Sequence, residues 1–132
     1  MARNSIDRER AVQAADAVLR EAEILIAAGG PPYDPFLITG FSGACTSGLC
    51  KGLTGNLWNS GAISWSSVKT SSLSFNKISK PNYVIELLTA PVWTPAEGCS
   101  IATYRIVVKG VGQFGAESIV QSHYRIRPKK CH

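Results

Sequence analysis

Between Asp7 and Glu23 the chain reads DRERAVQAADAVLREAE, and Ala11, Ala15, Val18, Ala22 and Leu25 recur at intervals of four, three, four and three residues. That period gathers them on one stripe of an α-helix and leaves Arg8, Arg10, Asp16, Arg20 and Glu23 pointing elsewhere. A stripe made mostly of alanine lets the helix axis come close to whatever covers it. The helix is expected from Ser5 to about Ala28, with Asn4 or Ser5 as its cap. Gly29, Gly30, Pro31 and Pro32 end it, a left-handed stop followed by residues that cannot continue.

The covering layer is expected from the last third of the chain, where three segments read as strands: Tyr83 to Leu88, Ile101 to Lys109 and Ser118 to Arg127. In the second, Tyr104, Ile106 and Val108 alternate with Thr103, Arg105 and Lys109; in the third, Val120, Tyr124 and Ile126 alternate with Gln121, His123 and Arg125. One face of such a sheet is oily and packs on the helix, and the other is polar and wetted. The expected fold is α+β, a long N-terminal helix on an antiparallel sheet of three or four strands.

At 132 residues the chain is the size of one domain, divided into a helix (1–28), a Gly- and Ser-rich loop region (29–80) and a sheet with the C-terminal tail (81–132). In the loop region apolar residues such as Phe36, Leu53 and Ile63 follow no sustained period, so aromatics are expected to pin a loop to the sheet. Four cysteines without zinc-type spacing read as two disulfides and an oxidising compartment such as the periplasm. They allow three connectivities. If the last two strands form a hairpin turning near Gln113, Cys99 and Cys131 end almost opposite each other, which makes that pair the preferred one and leaves Cys45 with Cys50. In the chain-entropy picture the larger loop contributes roughly 3 to 4 kcal/mol and the smaller roughly 2.

Five pieces of the sequence carry a family resemblance: MARN followed by QAADAVLREAE at the start, CTSGLC from Cys45 to Cys50, YVIEL from Tyr83 to Leu87, YRIVVKGVG from Tyr104 to Gly112, and IVQSHYR from Ile119 to Arg125. Together, and in this order, they resemble the minor pilins of the PilX family, components of bacterial type IV pili. The resemblance implies a pilin-like fold, with residues 29–80 as the αβ-loop and the Cys99–Cys131 pair as a version of the disulfide that closes the C-terminal D-region. It also implies a non-catalytic protein without a cofactor. Such a protein primes pilus assembly and lies at the tip with other minor pilins and the major pilin, often beside a large adhesin of the PilY type.

No stretch reaches the roughly 20 apolar residues of a membrane span, and Met1 opens no signal peptide. Pilins of this family carry an apolar half-helix just ahead of the region that begins here. The expectation is therefore an inner-membrane, periplasm-facing protein and pilus component whose signal and half-helix precede Met1. Assembly contacts are assigned to Arg8, Arg10, Ala11, Ala15 and Arg20. A type II secretion pseudopilin is the neighbouring alternative.

Catalytic and ligand readings are constrained by context. Gly110, Gly112 and Gly115 spell GxGxxG after a strand, but strand period follows instead of a helix, so the motif reads as a hairpin turn and not a nucleotide loop. His123 and His132 are the only imidazoles, and nothing nominates an acid and nucleophile to join either. Trp58, Trp65 and Trp93 read as loop anchors, with a sugar-binding platform on a host surface as the alternative. The formal charge of +5 mainly favours solubility; its one concentration, Arg125, Arg127, Lys129 and Lys130, is the only candidate contact for DNA or acidic lipid.

Overall fold

A computed structural model describes residues 2–29, 33, 41, 48–51, 69–70 and 81–127. Helix α1 spans Ala2–Ala28, 27 residues, and is followed by strands β1 (Leu49–Lys51), β2 (Lys69–Thr70), β3 (Asn82–Thr89), β4 (Trp93–Thr94), β5 (Gly98–Cys99), β6 (Ala102–Val111) and β7 (Glu117–Ile126). The helix is already under way at Ala2, so neither Asn4 nor Ser5 caps it. Its end is where the sequence places it: Gly29 takes φ +70° and donates its N–H to the carbonyl of Ile26 at 3.1 Å.

Among the described residues five strands form the main sheet, in the order β1-β3-β6-β7, with β2 also on β3. β3 pairs antiparallel with β6, Tyr83 facing Val108, with a register shift between Leu87 and Thr89, and β6 pairs antiparallel with β7 in continuous register, Val108 facing Val120. β1 corrects the expectation of an all-antiparallel sheet, because it pairs parallel to β3, Leu49 facing Ile85 and Lys51 facing Leu87. β2 takes the other half of the same edge in the opposite direction, Lys69 facing Tyr83. Leu-Cys-Lys is too short for strand period to show in a sequence; what makes it a strand is the edge of β3, a tertiary partner. Residues 93–99 form a small hairpin of their own, with Trp93 paired to Cys99, so Cys99 lies within a strand.

α1 lays its stripe across β6 and β7. Ala11, Ala14, Ala15, Val18, Ala22 and Ile26 are buried, with Ile26 replacing Leu25 as the last full member and Leu25 only partly covered. They meet Ile85 of β3 and Tyr104, Ile106 and Val108 of β6, joined by Phe41, whose ring packs 5.6 Å from that of Tyr104. Burial in β7 alternates as expected, with Val120, Tyr124 and Ile126 turned inward and Gln121, His123 and Arg125 exposed. The second face, however, is wetted most fully at β7; on β6 Thr103, Arg105 and Lys109 are half-buried. β3 is central, and Val84 and Glu86 on its far side, with Val107 of β6, are as buried as the residues under the helix.

The β6–β7 connection is five residues, 112–116, closed by a Gly112–Ala116 bond around a three-residue tip. Gly115 N–H reaches the Gly112 carbonyl at 3.2 Å, Gly112 N–H reaches the Ala116 carbonyl at 2.7 Å, and Gly115 holds φ +91°, the left-handed position that favours glycine. The GxGxxG run is thus a hairpin turn. No described helix is long and apolar enough to cross a membrane.

Candidate assembly surface

Asp7 lies four residues before Ala11, so it belongs to the same stripe and is carried under the hairpin turn, where it is buried. A buried carboxylate needs donors, and the turn supplies them: Oδ1 accepts the N–H of Phe114 at 3.0 Å and Oδ2 the N–H of Ala116 at 2.9 Å. Burial pushes the Asp7 carboxyl up. The backbone donors of Phe114, Ala116 and Gln113, with the Arg10 guanidinium nearby, outweigh that and hold it below the ordinary aspartate value. The side chain therefore stays ionised and locks helix to turn. Arg10 Nη1 adds a second tie, to Gln113 Oε1 at 3.1 Å.

Gly110 and Gly112 make this junction possible. A Cβ on Gly110 would run into the carbonyl of Ala11, and one on Gly112 into the Asp7 carboxylate. Helix and hairpin touch backbone to backbone here, which explains both the alanines on one side and the glycines on the other.

The residues assigned to assembly separate into two groups. Arg8, Arg10 and Arg20 are exposed on the outer surface of α1. Ala11 and Ala15 are not available: both are fully buried against the chain's own sheet, so they are corrected from interface to core. Phe114, at the tip of the turn, is 54% exposed and sits next to the Asp7 junction. Arg10, bonded to Gln113, and the turn tip thus share one end of the helix, while Arg20 lies ten residues further along α1. Strand period could not signal Phe114, since it lies in the turn.

On the far face of the sheet Glu86 is buried and is gripped by Arg105, whose Nε and Nη2 both donate to Oε1, the former at 3.0 Å. A glutamate inside YVIEL was the sequence signal for such a pair. Its side chain is 1% exposed and that of Arg105 13%, which closes it to solvent-borne substrates. His123 is exposed on β7, in register with Arg105. Lys109 and Glu117 form an open pair at 3.5 Å. Tyr83 is buried beneath Glu21 and Tyr33; burial first, then those two neighbours, push its phenol well above the ordinary value, so it stays neutral.

Of the tryptophans, Trp93 is 41% exposed on the β4–β5 hairpin, beside Val92 at 62%; Trp58 and Trp65 lie outside the described residues. Cys50 and Cys99 are each disulfide-bonded. Cys45 and Cys131 lie outside the described residues, as do His132, Lys129 and Lys130. Among the described residues no group of three or more His, Cys, Asp or Glu could hold a metal. No family model, curated protein or solved structure matches the chain.

Proposed function

We propose that the chain is the globular domain of a PilX-like minor pilin, a non-catalytic component that helps prime type IV pilus assembly and lies at the pilus tip. The observation that carries this reading is the division of α1: one side is committed to the domain's own β6 and β7, while Arg8, Arg10 and Arg20 stand exposed around the rest of its circumference. A long helix of this kind can serve two layers at once, its own sheet and a neighbouring subunit. In the reading, the arginines form intersubunit salt bridges to acidic groups of other minor pilins or the major pilin. The end formed by Arg10, Gln113 and Phe114 contacts the next subunit or a PilY-type adhesin. Cys45–Cys50 ties the αβ-loop and Cys99–Cys131 the D-region, on the periplasmic side of the inner membrane and then on the extracellular fibre.

The test is co-purification with co-expressed minor pilins together with a count of surface pili, using Arg8→Glu with Arg20→Glu. Neither residue is buried, so the domain should fold unchanged while complex formation and piliation fall. Unchanged capture and unchanged pili would remove the salt bridges from the mechanism, and absence of any minor-pilin complex with the unmodified chain would remove the reading itself.

A second reading rests on Trp93 and Val92, two apolar side chains exposed together on the small hairpin: a glycan or host-surface contact through an indole face. A saturable fluorescence change with a glycan panel, lost in Trp93→Ala, supports it; no change with any member excludes it for that panel.

A further inference from the structure

Strand β7 ends the sheet, and among the described residues its only strand partner is β6. The bond from Gly112 N–H to the Ala116 carbonyl sets the phase of this ladder. Hydrogen-bonded pairs recur at every second residue, so the even-numbered residues from Ser118 to Ile126 exchange bonds with β6. The odd-numbered ones, Glu117, Ile119, Gln121, His123 and Arg125, turn N–H and C=O to the edge away from β6, which no described strand covers, and their side chains are exposed. A ten-residue edge without proline or bulge is a template for another strand.

The sequence of this edge is complementary to itself. An antiparallel copy centred on Gln121 sets Glu117 opposite Arg125, Ile119 opposite His123 and Gln121 opposite its own copy. Every outward N–H and C=O then meets an outward partner, because odd residues face odd residues. The two neighbouring registers that also match odd with odd set Glu117 opposite His123, or opposite Arg127 beyond the end of β7. Two-fold symmetry produces each Glu–Arg pair twice.

The helix layer fits the same axis. Glu21 acts on Tyr83 of β3, so its flank of α1 faces inward along the sheet. The opposite flank, with Val12 and Leu19, overlooks the β7 edge; Val12 is 36% exposed and Leu19 is only partly buried. Because α1 lies over β6 and β7, a copy across that edge brings the two helices to about 10 Å, a distance at which helices pack. We propose that a second copy of this chain docks on β7, joining the two sheets antiparallel about a two-fold axis at Gln121, with Glu117–Arg125 pairs fixing the register. Of the helix arginines only Arg8, four residues before Val12, shares this flank, and the proposal does not depend on the pilus reading.

The experiment is sedimentation velocity of the 132-residue chain across a concentration series at low salt. The unmodified chain should show a monomer–dimer equilibrium that weakens as salt is added. Arg125→Glu should raise the dissociation constant by about tenfold or more, since it sets like charges opposite each other twice, and adding Glu117→Arg to it should bring the dimer back. Gln121→Pro removes an outward N–H without breaking a bond to β6, so it should leave the circular dichroism spectrum native and the chain monomeric. A monomer at all concentrations up to about 1 mM overturns the proposal. So does a dimer that survives Gln121→Pro, or a charge swap that folds but does not restore association.

Discussion

Asp7 is a charged residue that behaves as a structural one, and pH exposes the difference. Its carboxyl titrates below the ordinary aspartate value of 3.8 in the folded chain. The stabilisation it adds is therefore complete above that value and is lost as pH falls through the lower folded one. Asp7→Asn should unfold at lower denaturant than the unmodified chain near neutral pH, with the gap closing on acidification below the aspartate range; a gap independent of pH would assign the loss to shape and not to charge. The sequence hid this residue because a search for apolar period skips an aspartate, and its donors lie 107 and 109 residues away along the chain. Glycine at 110 is constrained from the other side of the junction. Gly110→Ala forces a methyl into the Ala11 carbonyl and should cost about 1 to 3 kcal/mol in urea unfolding, typical of overpacking. Glu86→Ala removes the carboxylate that Arg105 grips at a nearly closed site and should cost about 3 kcal/mol or more, whereas replacing both by apolar residues should recover most of it.

Elements were legible in proportion to the length of their period. α1 and the three long strands were readable within one to three residues at each end because each repeats its pattern over several turns or alternations. β1, β2, β4 and β5 have two or three residues each, which no period can mark. The strongest test at this scale is the middle of β6. Ile106 is fully buried between helix and sheet, so Ile106→Ala should lower unfolding free energy by about 2 to 5 kcal/mol. His123→Ala, on the open face of the paired strand, should fall within about 0.5 kcal/mol of the unmodified chain. Similar losses at both positions in thermal melts would mean that β7 is covered on its outer face.

For the molecule as a whole, one helix packed on one sheet could be anticipated; the parallel pairing of β1 and the two-sided burial of β3 could not. A sequence shows whether a strand alternates; whether its polar members meet water depends on what lies across the sheet. Covalent ties act at this scale as well. Cys50 on the β1 edge and Cys99 on the small hairpin are both disulfide-bonded, so the folded chain should show no thiol at either position to a thiol reagent, and reduction should lower its melting temperature.

The junction between Asp7 and the β6–β7 turn also sets an order of events. The first turns of the helix emerge from the ribosome long before Phe114 and Ala116 exist to receive them. For most of synthesis the stripe has no sheet beneath it, and docking must wait until the hairpin closes. Contacts this distant along the chain make for slow folding. An alanine stripe presents less greasy surface during that wait than a leucine one would, so the residues that allow the close final fit also keep the unfinished chain from sticking.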